Sequence, residues 1–396
     1  MDENVLDPSQ ERAVELLRTA SFGVVTGGPG TGKTTCLRVA LDHMDRARET
    51  YALAAPTGKA AKRMSEATLR PAKTIHRLLA WKPDGFCFNQ HNPLTCNALI
   101  IDEASMLDVE LAASLVEALE PRTRLILVGD ANQLPSVGPG RVLADLVESD
   151  IVPVARLTQV HRAAAKSWIC RNAPRVLTGE SLELETAQDF RFVEAETPED
   201  VARAVVDVVT TPEFASAQVL SPQRTTACGV EALNQRLQQR LNPERDQADQ
   251  WSFDERVIRL RDRVIQTVND YKLEVFNGEV GTVMSVTPTV LQVNFGDRCV
   301  AYSRSEAMNL RLAYALTVHR YQGSETPWAV CVVHSAHTHM LTRQLFYTAI
   351  TRAKKGVVLI GNRQGLVRAT SDKAPPKRNT MLVERLREQL GLPPTA

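Results

Sequence analysis

Gly27-Gly28-Pro29-Gly30-Thr31-Gly32-Lys33-Thr34-Thr35 follows the order GxxxxGK[ST], between an apolar run ending at Thr26 and a helical stretch. Glycines at Gly28, Gly30 and Gly32, with Pro29 and Thr31 between them, let backbone N–H groups approach phosphate oxygens. The helix start adds positive potential, Lys33 reaches the β and γ oxygens, and the Thr34 hydroxyl, followed by Thr35, is placed to ligate Mg2+. Such a lysine needs an acidic partner at the end of another strand, and Ile100-Ile101-Asp102-Glu103 supplies one. Asp102 would hold the metal through water, and Glu103 would activate the attacking water. Gly129-Asp130-Ala131-Asn132-Gln133-Leu134-Pro135 follows a third apolar run, where the carboxyl ends of parallel strands present ligands, so Gln133 is expected to sense a γ-phosphate.

These groups need a frame that brings several strand ends together. Phe22 to Thr26, Tyr51 to Ala55, Ala98 to Asp102 and Arg124 to Gly129 are short β-branched or apolar runs alternating with helical stretches, which is the pattern of a buried parallel sheet. A second set follows residue 200, with strands at Gln218 to Ser221, Trp328 to Val333 and Gly356 to Gly361 and helices over 197–209 and 229–241. Between them, from Asp262 to Ser303, four strand-like runs with turns at Phe276-Asn277-Gly278-Glu279 and Gly296-Asp297 predict a small all-β module. Gly85 to Phe88, Asn89 to Pro93 and Leu94 to Cys96 read as an exposed hairpin, whose apolar flanks Phe86, Phe88 and Leu94 are too few to make a core. Lys373 to Arg378 reads as a linker before a closing helix.

A length of 396 residues predicts two to three domains at roughly 150 residues each. No run of about 18 apolar residues crosses a bilayer, and the start Met1-Asp2-Glu3-Asn4 lacks a basic, apolar leader. Seven cysteines with no CxxC pair exclude a disulfide scaffold and a structural zinc site, so a reduced, cytoplasmic compartment is expected. With 47 basic and 46 acidic residues there is no global basic field, so a nucleic acid must bind in a local groove, and 5% aromatics leave few residues for base stacking.

The glycine loop, Asp102-Glu103-Ala104-Ser105 and GDxxQLP, in this order, resemble a superfamily 1 helicase, and further stretches extend the resemblance. Gln10 in Leu6 to Gln10 resembles the adenine-reading glutamine. Ala55-Pro56-Thr57-Gly58-Lys59 and Thr74-Ile75-His76 resemble the two strand-contacting motifs of the first domain. Gln159-Val160-His161-Arg162 resembles the motif whose arginine faces the nucleotide. Leu316 to Glu325, containing Thr317, His319, Gln322, Gly323 and Glu325, and Tyr347 to Ala353, containing Arg352, resemble two motifs of the second domain.

The APTGKAA, TIHRLL and HRxQGSE wording is most similar to the RecD-like branch of superfamily 1B DNA helicases, from about residue 5 to 385. The resemblance implies an α/β fold of two RecA-like P-loop NTPase domains with an inserted β-hairpin pin and an inserted SH3-like module. It places the first domain at 1–155 with the pin at 84–96, the second at 156–260 and 313–396, and the module at 261–312. It implies a monomeric motor using ATP and Mg2+, moving 5′ to 3′ on single-stranded DNA and opening forked duplexes in recombination, repair or replication.

Lys33, Asp102, Glu103, Gln133, Arg162 and Arg352 would carry catalysis, the two arginines by stabilising charge in the transition state. Pro56, Thr57, Lys59, Thr74, His76, Thr317, His319 and Gln322 would contact the strand, with Arg224 and Asn277 balanced between strand contact and loop structure. Only about six residues precede the first motif, so the large domain that long members carry ahead of the core is not expected. An RNA helicase and an ATP-switched structural or loading subunit of a recombination complex are the rival readings, and no nuclease carboxylate cluster is visible.

Overall fold

The apolar runs of the first 160 residues become strands because helices cover both faces of their sheet. A computed structural model describes residues 6–160, 167–184, 188–244, 246–253, 256–270, 272–296, 298–371, 378 and 380–393, and the chain divides into two units, 1–166 with 375–396 and 167–374. The first unit begins with α1 (Pro8–Thr19), where the Asp7 carboxylate accepts from the Ser9 and Gln10 amides and Gln10 accepts in return from the Asp7 amide. There follow β1 (Phe22–Gly27), α2 (Lys33–Arg46), β2 (Tyr51–Ala55), α3 (Gly58–Thr68), β3 (Lys73–Thr74), α4 (Ile75–Leu78), β4 (Trp81–Lys82) and β5 (Gly85–Phe86). The unit continues with β6 (Ala98–Ile101), α5 (Val109–Glu117), β7 (Arg124–Gly129), α6 (Val142–Glu148) and β8 (Val154–Leu157).

Its sheet runs β3-β2-β6-β7-β1-β8, all parallel. Successive side chains alternate between faces. Val25, Ile100 and Ile126 therefore enter one core with Leu37 and Leu41 of α2, and Val24, Leu99 and Leu127 enter the other with Leu143 and Leu146 of α6.

The second unit contains α7 (Trp168–Thr178), β9 (Phe190–Glu194), α8 (Pro198–Thr210), β10 (Gln218–Ser221), α9 (Val230–Leu241), β11 (Gln250–Phe253) and β12 (Arg256–Arg259). Next come β13 (Arg263–Gln266), β14 (Val280–Val286), β15 (Leu291–Asn294), β16 (Cys299–Tyr302), β17 (Leu310–Leu312), β18 (Ala315–Thr317), β19 (Thr326–Val333), α10 (Arg343–Ile350), β20 (Ala353–Gly361) and α11 (Arg363–Ser371). β18-β10-β19-β20-β9 form a parallel sheet, and β16-β15-β14-β13-β17 an antiparallel one with its own core around Val264, Val283, Val293 and Tyr302. The β module is thus five-stranded, β17 adding a strand to the four expected. Asp262 ties it to the α/β part: its buried carboxylate accepts from Gln238, Asn242, Tyr314 and the Arg259 amide.

Two boundaries differ from expectation. The closing helix α12 (Leu382–Gln389) belongs to the first unit, because Leu382 and Leu386 cover that unit's core and the Arg378 guanidinium donates to the carbonyls of Ser136, Gly138 and Gly140. The hairpin is also shifted. Its ladder pairs Trp81 with Phe86 and Lys82 with Gly85 across a Pro83-Asp84 turn. Asn89 to Asn92 form a separate tight turn, and the Leu94 amide donates to the Ala118 carbonyl. Leu94 is buried and Phe86 and Phe88 pack against the same core, so this stretch is anchored, and two exposed tips remain, Trp81 to Gly85 and Gln90 to Asn92.

Candidate nucleotide and strand-binding site

The glycine loop leaves β1 and enters α2 through Gly30 and Gly32, at φ 72° and 88°, left-handed conformations that favour glycine. Gly27 is needed for space, since an added Cβ would lie 2.6 Å from the Thr31 hydroxyl and 2.8 Å from Leu157 Cβ. The Thr31 hydroxyl donates to the Gly28 carbonyl (2.9 Å), and the Lys33 ammonium donates to the carbonyls of Gly27 and Gly28, which hold it over the loop floor. Thr34 is exposed on the first turn of α2. Gln10 is buried, and its amide nitrogen donates to the Thr31 carbonyl (3.2 Å), so α1 braces the loop directly.

Asp102 and Glu103 leave the carboxyl end of β6. The Glu103 amide donates to Asp102 Oδ1 (2.8 Å), and Glu103 itself has φ 51°, a conformation non-glycine residues avoid. Burial, then the adjacent Glu103 charge, raise the Asp102 pKa, against the Glu103 amide, Arg63 and Lys33, which lower it. Arg63 also approaches Glu103, with 3.4 Å between guanidinium and carboxylate.

At the end of β7, Asp130 is buried, accepting from the Asn132 amide (3.0 Å) and from the side chain of Gln133 (3.3 Å), while the Ala131 amide donates to Thr26 of β1 (3.3 Å). Gln133 is therefore fixed between the ends of β1 and β7.

The residues of the first unit expected to contact a strand sit along the same sheet edge. Pro56 and Thr57 follow β2, Thr57 capping α3 by accepting from the Ala60 amide (3.2 Å), with Lys59 on the first turn. Thr74 caps α4 by accepting from the Arg77 amide (3.1 Å). His76 is half-buried with its ring 5.7 Å from that of Phe86, and burial lowers its pKa. From β1 to β2 is three strand steps, about 14 Å.

In the second unit the groups divide between the two ends of the sheet. Thr317 ends β18, level with Ser221 of β10, and Arg224 follows three residues later. Leu220 pairs with Cys331, so Thr317 is level with Val332, six residues beyond Thr326 at the start of β19, or about 20 Å. Gly323 and Glu325 immediately precede Thr326, and Arg352 precedes β20 at the level where Thr326 pairs with Ala353. The segment 318–325 runs the length of the sheet, with Tyr321 and Gln322 buried along the way and the Tyr321 hydroxyl donating to the Glu325 carbonyl (2.9 Å). Gly323 has φ 69°, Glu325 pairs with Lys354 (2.8 Å) and Arg352 is buried.

His319 starts a short turn of helix after β18; exposed Arg224 pairs with Glu231 (2.9 Å). Asn277 is exposed in the module's turn, where its amide donates to the Asn269 side chain. Arg162 lies outside the described residues.

Three families match parts of the chain: an AAA domain over residues 10–139, the SH3 domain of ATP-dependent RecD-like DNA helicases over 233–295, and the UvrD-like helicase C-terminal domain over 312–360. The ATP-dependent RecD2 DNA helicase of Deinococcus radiodurans is 38% identical over 96% of the chain, which spans 52% of that relative. The RecD subunit of the RecBCD enzyme of Mycobacterium tuberculosis is 33% identical over 92% of the chain and 71% of the relative. The chain belongs to the RecD family. Its fold also resembles a Bacteroides Pif1 helicase solved with single-stranded DNA and a Candida albicans Pif1 helicase, each with a TM-score of 0.58 and 98% of the chain covered, at 18% and 17% identity.

In this RecD-family chain, sequence reasoning missed three groups. Arg63 follows Lys59 by four residues, a spacing visible in the sequence, but its partner Glu103 is 40 residues away. Trp81 was overlooked although Pro83-Asp84-Gly85 marks a turn beside it. Arg320, beside His319, has its pKa lowered by burial and then by the charges of Arg224 and of Arg311 in β17.

Proposed function

We propose that this chain is an ATP-dependent DNA helicase that moves 5′ to 3′ along single-stranded DNA and unwinds forked duplexes. The arrangement at the ends of β1, β6 and β7 carries the reading: a glycine loop with Lys33, an acidic pair and Gln133, each held by its own hydrogen bonds. Glu103 takes a proton from the attacking water as that oxygen bonds the γ phosphorus and the bond to the β–γ bridging oxygen breaks. Lys33, Gln133, Arg352 and Arg162 stabilise the charge that gathers on the phosphoryl oxygens. Gln10, the loop 28–35, Gly323 and Glu325 are the nucleotide contacts in this reading.

Mg2+ suits the oxygen donors here, the exposed Thr34 hydroxyl and the Asp102 carboxylate at the end of β6. When bound, Mg2+ supplies Lewis-acid neutralisation of the phosphate oxygens. Among the described residues no cluster of three or more His, Cys, Asp or Glu forms an all-protein metal site.

Pro56, Thr57, Lys59, Thr74, His76, Thr317, His319, Gln322, Arg224 and Asn277 are the strand contacts in this reading. The exposed tip Trp81 to Gly85, anchored through Phe86, is the element that would split the duplex. A cytoplasmic location follows from the same reading; among the described residues no helix is long and apolar enough to cross a membrane.

The test is unwinding of duplexes with a single 5′ or 3′ tail, with ATPase stimulation by poly-dT compared with poly-U. Unwinding from the 5′ tail alone, with poly-dT the better activator, is expected. Reversed polarity or preference for poly-U would overturn the reading. The RecD relatives named as subunits of an enzyme complex favour a second reading, in which the motor works inside a larger assembly. Sedimentation of the purified chain and of its native complex distinguishes it from the monomeric motor.

A further inference from the structure

Arg63 joins the two functions of the first unit. It lies on α3, one helical turn after Lys59, so the two cations share a face of the helix that begins at the strand-contacting Pro56 and Thr57. At the same time its guanidinium is 3.4 Å from the Glu103 carboxylate. Glu103 is the less exposed partner, its side chain 13% accessible against 39% for Arg63, so Arg63 reaches from the surface toward the acid. The Glu103 backbone is held in a left-handed turn and its amide is committed to Asp102, which leaves the direction of its carboxylate to side-chain partners.

We propose that Arg63 is a positioning residue that restrains Glu103 until the phosphodiester backbone of single-stranded DNA, arriving on the Lys59 face of α3, draws the guanidinium away. The inference rests on the reading of Glu103 as the base for hydrolysis. A base must lie within hydrogen-bond reach of the proton it takes, and a carboxylate held against a guanidinium is fixed in the direction of that partner and not in the direction of an attacking water. The restraint must also be weak enough to exchange, and a partly exposed pair at this distance is weak. A phosphate offers the guanidinium two oxygens in the planar fork it prefers, so the exchange is favourable wherever the strand lies within reach of α3. Strand binding would then raise hydrolysis without any movement of the glycine loop.

The experiment uses the full chain and poly-dT. Arg63→Ala should raise ATP hydrolysis in the absence of DNA by roughly 3- to 10-fold, the range open to a weak ion pair. It should shrink stimulation by poly-dT by a similar factor, while poly-dT binding stays within a few-fold. Arg63→Lys, which keeps the charge without the fork, should fall between. Arg63→Gln, which keeps length and polarity, should behave as the alanine variant and serves should that variant fold poorly. An unchanged ratio of stimulated to basal hydrolysis in Arg63→Ala and Arg63→Gln would overturn the proposal, as would equal loss of both rates. Glu103→Gln separates this failure from that of the underlying reading: retained hydrolysis there removes Glu103 as the base, whereas abolished hydrolysis beside an unchanged ratio in the Arg63 variants removes only the restraint.

Discussion

The two α/β units use one kind of sheet and separate the proposed nucleotide groups from the proposed strand groups in different directions. In the first unit both sets stand on the carboxyl edge, spaced sideways: Lys33, Asp102 and Gln133 follow β1, β6 and β7, and Pro56, Thr57 and Thr74 follow or end β2 and β3. In the second unit they stand at opposite edges, with Thr317 and Arg224 at the carboxyl ends and Glu325 and Arg352 at the amino ends. The elements that join the two sets of positions differ accordingly. The first unit uses side chains that reach across neighbouring strand ends, such as Arg63 to Glu103. The second uses the covalent segment 318–325, whose buried Tyr321 and Gln322 make it a strut between the edges. Lateral contacts that exchange partners suit a switch, and a packed strut suits the transmission of displacement.

The comparison breaks first if the nucleotide and strand groups of the first unit cannot be separated. Lys33→Ala and Glu103→Gln should each lower DNA-stimulated ATP turnover by roughly 10²- to 10⁴-fold, the span of a positioned general base, with poly-dT affinity measured by anisotropy within a few-fold. Parallel loss of strand binding would show that the two sets form one site. Arg352→Ala should reduce turnover by roughly 10³-fold with a smaller effect on ATP affinity, as for an arginine that meets the transferring phosphoryl group. Near-normal turnover would confine Arg352 to packing at the start of β20.

The hairpin gives an intermediate effect. Trp81→Ala, or Ser replacements at Lys82 and Asp84, should lower unwinding by roughly 10-fold and leave DNA-stimulated hydrolysis within about 2-fold, because the exposed tip lies apart from the nucleotide groups. Gly85, at φ 125°, is left in place. Replacing the whole stretch through Leu94 is the wrong variant, since Leu94, Phe86 and Phe88 contribute to the core, and its loss of function would report unfolding.

How much was legible follows from where each signal lies. The glycine loop, the acidic pair and the buried strands could be read because each is local: a fixed spacing of glycines and a lysine, or an uninterrupted apolar run. The hairpin was misplaced because two turn signals compete within twelve residues, and Asn89 to Asn92 does turn. What decides the outcome is tertiary, the Leu94 amide pairing with Ala118. β17 is three residues with Arg311 at its centre, too short to show a period. α12 reads as a helix, but nothing local says which unit Leu382 and Leu386 will cover. Arg63 gave no sign of its partner, because the ion pair exists only once β2 and β6 lie side by side.

Tyr321 tests the strut by a smaller change. Tyr321→Phe removes the hydrogen bond to the Glu325 carbonyl and keeps the buried ring, so about 1 kcal/mol of stability should be lost. Basal hydrolysis should stay within about 2-fold, and base pairs opened per ATP should fall by a few-fold if the segment transmits displacement between edges. An unchanged ratio would leave the strut a packing element and remove the contrast between the units.

Lys59 should show the smallest effect and sharpen the comparison most directly. It stands on the first turn of α3, ahead of Arg63 and about 14 Å along the sheet edge from the glycine loop. A lysine that neutralises one phosphate of a single strand releases its share of condensed counterions, so the slope of log affinity against log salt should fall by roughly 0.7 in Lys59→Ala. The loss should be uniform across base sequences, because the contact is to backbone, and should leave basal hydrolysis unchanged. Lys59 and Arg63 also predict opposite signatures from one helix face. Removing Lys59 lowers strand affinity and preserves the stimulation factor at saturating DNA, whereas removing Arg63 preserves most affinity and lowers the factor. An unchanged slope in Lys59→Ala would take the strand off this face of α3, and the lateral coupling drawn for the first unit would lose the ligand that operates it.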